Sequence, residues 1–169
     1  MVTGRDYHTR SRDERETLVT FLDYARATVR AKCAGLSESD ARRVALPGSP
    51  AMTIAGLVGH LHWTERAWIE AIALGDPAED RRIDAEPDGG MIADPPETLA
   101  ELLDRYDART ARNNALIAGL DLDARSRGSM GDRDPVTLRW ILLHLIEGTS
   151  RHNGHLDILR ELADGTTGS

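Results

Sequence analysis

Apolar residues along this chain recur at three- and four-residue intervals with charged residues between them, and no segment alternates with a two-residue period. That rhythm predicts amphipathic helices and no strands. Four long helices are delimited by their caps. The first runs from about Arg12 to Ala34, opened by Ser11 with Glu14 three residues on, and turns Leu18, Phe21, Leu22, Ala25 and Val29 inward. A short helix follows from Ser37 to Val44, capped by Ser37 with Asp40, before a turn at Leu46 to Pro50. The second long helix starts after Thr53 and reaches about Leu74, with Met52 and Leu57 as a hydrophobic staple. Its inward stripe is Ile54, Leu57, Val58, Leu61, Trp68 and Ile72.

The third helix is expected from Asp94, with Pro95 and Pro96 in its first turn and Glu97 completing a capping box. It carries Leu99, Leu102, Leu103, Tyr106, Leu116 and Leu120 inward. The fourth begins after Thr137, stapled by Val136 and Ile141, and ends near Asp164. The connection from Gly75 to Ala93 is long, acidic and rich in Gly and Pro, so it either crosses an end of the bundle or covers a site. The expected architecture is all-α, a four-helix bundle with one long crossover. At 169 residues, one domain over 1–169 accounts for the length, with a sizeable single core.

Charge and cysteine content narrow the partners. A formal net charge of -7 with no basic cluster argues against nucleic acid. Cys33 is the only cysteine, which precludes an internal disulfide and suits a reducing cytoplasm. Near the end of an amphipathic helix, it reads as a small buried residue rather than a reactive thiol. The N-terminal stretch is charged and no run approaches about 18 apolar residues, so neither a signal peptide nor a membrane span is expected.

The segment from Trp140 to Arg160 carries the most chemistry. At about 100° per residue, His144, His152 and His155 share an arc of roughly 80° with Gly148, overlapping the apolar stripe of Leu138, Ile141, Leu145, Leu156 and Leu159. Three imidazoles in such a stripe need partners, and a metal ion or ordinary hydrogen bonds would both serve. Helix two adds His60 and His62, which diverge by about 160° to 200°. At most one of them joins a site with helix four, and periodicity does not choose between them. Glu65 sits near the centre of its helix's apolar stripe. It is either a buried carboxylate paired with an arginine such as Arg139 or Arg151, or an acceptor for a ligating histidine's N–H. Trp63, Trp68 and Trp140 read as core.

The segments GLVGHLHWTER in helix two and RHNGHLDILRE at the end of helix four resemble the DinB-like superfamily of small metal-binding four-helix bundles. That superfamily includes mycothiol-dependent maleylpyruvate isomerases and bacillithiol S-transferases, and the resemblance spans about Tyr7 to Leu162. It implies one divalent metal ion, zinc or nickel, held by a histidine of helix two and two residues of helix four spaced four apart. His60 and His152 match the first and last of these positions. The remaining one falls on Gly148, which has no side chain. Glu147, its neighbour, points toward the opposite side of the helix. His155 and His144 lie on the correct side, and His155 is favoured because residues three apart are neighbours while His144 is about 12 Å from His152 along the axis. Water is the other candidate for that position. The expected metal set is therefore His60, His152 and His155.

The resemblance further implies a low-molecular-weight thiol such as mycothiol as cofactor and a small electrophile as its partner, in S-transfer or isomerisation. No internal thiol or lysine is positioned as a nucleophile, so an external thiol is required. The rival reading is a non-catalytic bundle whose site Gly148 has emptied, leaving a ligand-binding or dimerising scaffold. A di-iron carboxylate bundle fails for want of two inward Glu-x-x-His motifs. A homodimer remains open, since no heptad seam marks the surface.

Overall fold

The computed structural model describes residues 13–92, 95–128 and 134–167. The protein is all-helical, and the one β-bridge among the described residues joins Arg125 to Thr137. Its helices are α1 (Glu14–Cys33), α2 (Glu38–Ala41), α3 (Ile54–Glu65), α4 (Pro77–Ala85), α5 (Leu99–Ile117) and α6 (Leu138–Asp164). From Arg66 to Ala73 the backbone of α3 continues as a π-helix, a widened winding that is often associated with functional sites.

Side-chain caps set most of the boundaries. Thr53 accepts from the Gly56 N–H to open α3, Thr137 from Trp140 to open α6, and Ser37 from Asp40 to open α2. Gly165, at φ 78, ends α6 in the left-handed conformation. Two expected starts need correction. Asp13 caps α1 through Glu16, while Ser11 and Arg12 lie outside the described residues. α5 starts at Leu99 because Thr98 and Glu101 complete a capping box, five residues after the expected start. Asp94 lies outside the described residues, and Pro95 and Pro96 precede the helix. The expected short helix also narrows to α2.

The connection between α3 and α5 is not a structureless crossover. It contains α4 and a 3₁₀ turn at Pro87–Gly90. Arg66 fastens it to the helical body by donating to Glu79 at 2.8 Å and Glu86 at 2.6 Å. At its far end Arg42 donates to the carbonyls of Pro95 and Glu97, each at 2.7 Å. The turn is thereby held against α3.

α1 packs chiefly on α6, and α3 on both α5 and α6. The buried apolar residues fall into two clusters, one containing Val29, Leu61, Tyr106 and Leu156, the other Leu22, Ile69, Ile117 and Leu145. In each of the four long helical segments a polar residue lies between these two sets in sequence: Arg26, Glu65, Asn113 and Thr149 are all buried. Arg26 donates to both Glu65 oxygens at 2.8 and 2.7 Å, and Asn113 adds a third bond at 2.9 Å. Glu65 therefore pairs with Arg26. Neither arginine suggested by the sequence takes that place: Arg139 pairs with Glu14 and Asp123, and Arg151 with Glu147. None of the Glu65 hydrogen bonds goes to a histidine. Cys33 is buried as expected, and burial pushes its thiol up to about 12.

Candidate functional site

α3 and α6 each contribute imidazoles to one cluster. His60 and His152 meet edge to face with ring centroids 4.9 Å apart, and His155 lies against His152 at 5.3 Å. All three are half-buried. His62 is on another face of α3, as the divergence of the pair requires.

His144 leaves the group. It stacks on Trp140 at 5.1 Å with an interplanar angle of 8° and lies 4.2 Å from Trp68, so helix α6 divides its histidines between two environments. Two turns separate His144 from His152, enough to bring it beside the π-helical segment that holds Trp68. Of the three tryptophans expected in the core, Trp68 packs against the second apolar cluster. Trp140 is 42% exposed, and Trp63 and Trp68 are half-buried. Trp63 lies nearly parallel to His60, at 14° and 6.1 Å, and its buried Nε1 has no acceptor among the described residues.

The orientation of His60 is set by the crossover. Its Nδ1 lies 2.7 Å from the Gly89 carbonyl, which can only accept, so Nδ1 is the donating nitrogen and the lone pair of the neutral ring sits on Nε2. Gly89 and Gly90 adopt φ of 62° and 70°, and a Cβ on Gly90 would lie 2.6 Å from the Trp63 Cβ. Only glycine brings the backbone this close in this conformation. His152 and His155 present their Nδ1 atoms to each other at 3.3 Å. Burial, followed by repulsion from His60, His155 and Arg151, pushes His152 down to about 4. It is neutral at pH 7, the protonation state a metal ligand requires.

The donor set fits a divalent ion in kind, and one pair fits in spacing. A tetrahedral ion bonded to two imidazoles at about 2.0–2.1 Å holds their nitrogens about 3.3–3.4 Å apart. The closed cage is another matter: among the described residues, no three His, Cys, Asp or Glu side chains form a group that could hold a metal ion as they stand. At Gly148, one turn before His152, a Cβ would meet nothing within 4 Å, and the backbone is ordinary helix. The position that lacks a ligand is also open space.

Sequence reasoning missed the Gly89 carbonyl and the Trp63 face. The adjacent Gly89–Gly90 pair was the available signal, a place in the connection where backbone could approach a helix closely.

The fold and the site together define a class: an all-helical protein with imidazoles from two long helices gathered beside a glycine turn. The family model for mycothiol S-transferases matches residues 17–165, so the chain belongs to that family, within the DinB-like superfamily. A comparison with curated proteins finds no match. Among the described residues no helix is long and apolar enough to cross a membrane.

Proposed function

We propose that this protein is a metal-dependent S-transferase that joins mycothiol to a small electrophile, with the ion held by His60, His152 and His155. The observation that carries this reading is the meeting of His60 on α3 with His152 on α6, against which His155 of the same helix lies. Membership of the mycothiol S-transferase family supplies the thiol class.

A divalent ion bound there would lower the pKa of a thiol and hold the thiolate beside its target. The chain's own groups prepare that chemistry. The Gly89 carbonyl fixes the His60 ring with Nε2 free, and burial keeps His152 neutral. The open space at Gly148 gives room next to His152 for a reacting group. Sulfur attacks the electrophilic carbon, a C–S bond forms, the leaving group departs with its electron pair, and the thiol proton passes to water. Cys33, buried and held as the thiol, does not compete. A reducing compartment such as the cytoplasm suits both the free cysteine and a thiol substrate.

A second reading draws on Gly148 and on the absence, among the described residues, of a three-donor group: a bundle that binds small molecules without metal chemistry. One experiment separates the two. Purified protein is analysed for divalent metals, then assayed for mycothiol conjugation to a bimane or dinitrophenyl electrophile before and after chelation. Conjugation lost with the metal and restored by zinc or nickel supports the S-transferase. Conjugation that is absent, or indifferent to chelation, favours the second reading.

A further inference from the structure

The outward face of α6 carries a continuous stripe of exposed residues. Steps of three, four and four residues lead from Trp140 through Leu143 and Glu147 to Arg151, and the same steps lead on through Gly154 and Ile158 to Leu162. Such a period corresponds to about 3.67 residues per turn, so the stripe runs almost straight along the helix for about 33 Å. It is not a heptad seam.

Its four large apolar side chains are between 42% and 59% exposed, and a row of such groups marks a contact surface. Glu147 and Arg151 lie between them, 3.4 Å apart, each more than half exposed. The order of these residues shows what covers them. Trp140 and Ile158 are equidistant from position 149, and so are Glu147 and Arg151. Two antiparallel copies of α6 related by a two-fold axis at that position therefore set Trp140 against the partner's Ile158 and Glu147 against the partner's Arg151. A parallel pair would instead oppose like charges, which is costly.

We propose that this face makes the protein an antiparallel two-fold homodimer, α6 against α6. The apolar ends supply affinity, and the four central charges fix the register. Trp68 and His144 already hold the Trp140 ring, at 5.4 and 5.1 Å, so little freedom is lost when it is covered. Gly154 lets the two helices approach beside the ion pairs. His155 follows Arg151 by four residues and precedes Ile158 by three, so the second copy borders the histidine cluster. The pairing itself needs no metal ion.

Sedimentation equilibrium of the full chain over a range of concentrations tests this. A reversible monomer–dimer equilibrium is expected, with Glu147→Arg, Arg151→Glu and Ile158→Arg each weakening it at least about tenfold. The double variant Glu147→Arg with Arg151→Glu exchanges the charges and should return to within about threefold of the parent. All of these positions are exposed, so the variants stay folded, which circular dichroism checks. A parent protein that is monomeric up to about 100 μM, a dimer indifferent to Ile158→Arg, or a double variant no better than its singles each overturns the proposal.

Discussion

The Gly89 carbonyl accepts the Nδ1–H of His60 at 2.7 Å, joining the crossover to the one imidazole that α3 brings to the cluster. Hydrogen bonds of this kind fix a histidine's tautomer and raise its basicity. Gly89→Ala forces a left-handed φ on alanine and sets a Cβ 3.3 Å from the His60 Nδ1. The expected outcome is about 10- to 100-fold weaker divalent-metal binding, with the helical content unchanged. Calorimetric titration with zinc checks the affinity, and circular dichroism checks the fold.

Gly148→Glu should restore a ligand where the helix leaves open space. The backbone is ordinary helix, where Gly is about 0.8–1 kcal/mol worse than Ala, so propensity does not oppose the change. Without metal, the half-enclosed carboxylate offsets that gain. With metal, Tm should rise more than in the parent protein, and His155→Ala should then matter less. Paired thermal melts with and without zinc measure both effects. An unchanged metal response would mean that the side chain does not reach the ion.

Arg26 and Glu65 should behave as one buried unit. Removing one partner strands a charge, so Arg26→Ala is expected to cost about 3–5 kcal/mol. The double variant Arg26→Met with Glu65→Leu should recover much of that loss. Urea denaturation of the parent protein, Arg26→Met, Glu65→Leu and the double variant gives the coupling. An additive pair of losses would show that the two side chains do not interact as described.

Cys33 should resist thiol reagents in the native protein. Its folded-state value of about 12 lies above the ordinary thiol value, so at pH 8 the thiolate is scarce and access is blocked as well. Labelling with a chromogenic disulfide should be slow when folded and complete in denaturant. Fast native labelling would mean that the C-terminal end of α1 opens readily.

Most helices were legible because their signals are local. Thr53, Ser37 and Thr137 announce the starts of α3, α2 and α6 through side chains that bond the next turn, and Gly165 announces an end. The start of α5 was misread because two capping boxes four residues apart compete, and the Thr98–Glu101 pair prevails over Asp94–Glu97. Glu65 could be recognised as buried but not matched to its arginine, because the choice among Arg26, Arg139 and Arg151 depends on how α1 sits against α3. The histidine arc of α6 was visible from spacing alone. Its division was not: what separates His144 from His152 is the presence of Trp68 on a neighbouring π-helical segment, a tertiary fact. The Gly89 carbonyl carries no side-chain signature at all.

The central claim, that His60, His152 and His155 hold one divalent ion, is tested most directly by metal stoichiometry. Protein purified without chelators, together with His60→Ala, His152→Ala and His62→Ala, is analysed by inductively coupled plasma mass spectrometry after zinc loading and gel filtration. The account predicts about one ion per chain in the parent protein and in His62→Ala, and almost none in His60→Ala and His152→Ala, all four proteins remaining helical. Full occupancy in both His60→Ala and His152→Ala, or no metal in the parent protein, would contradict it.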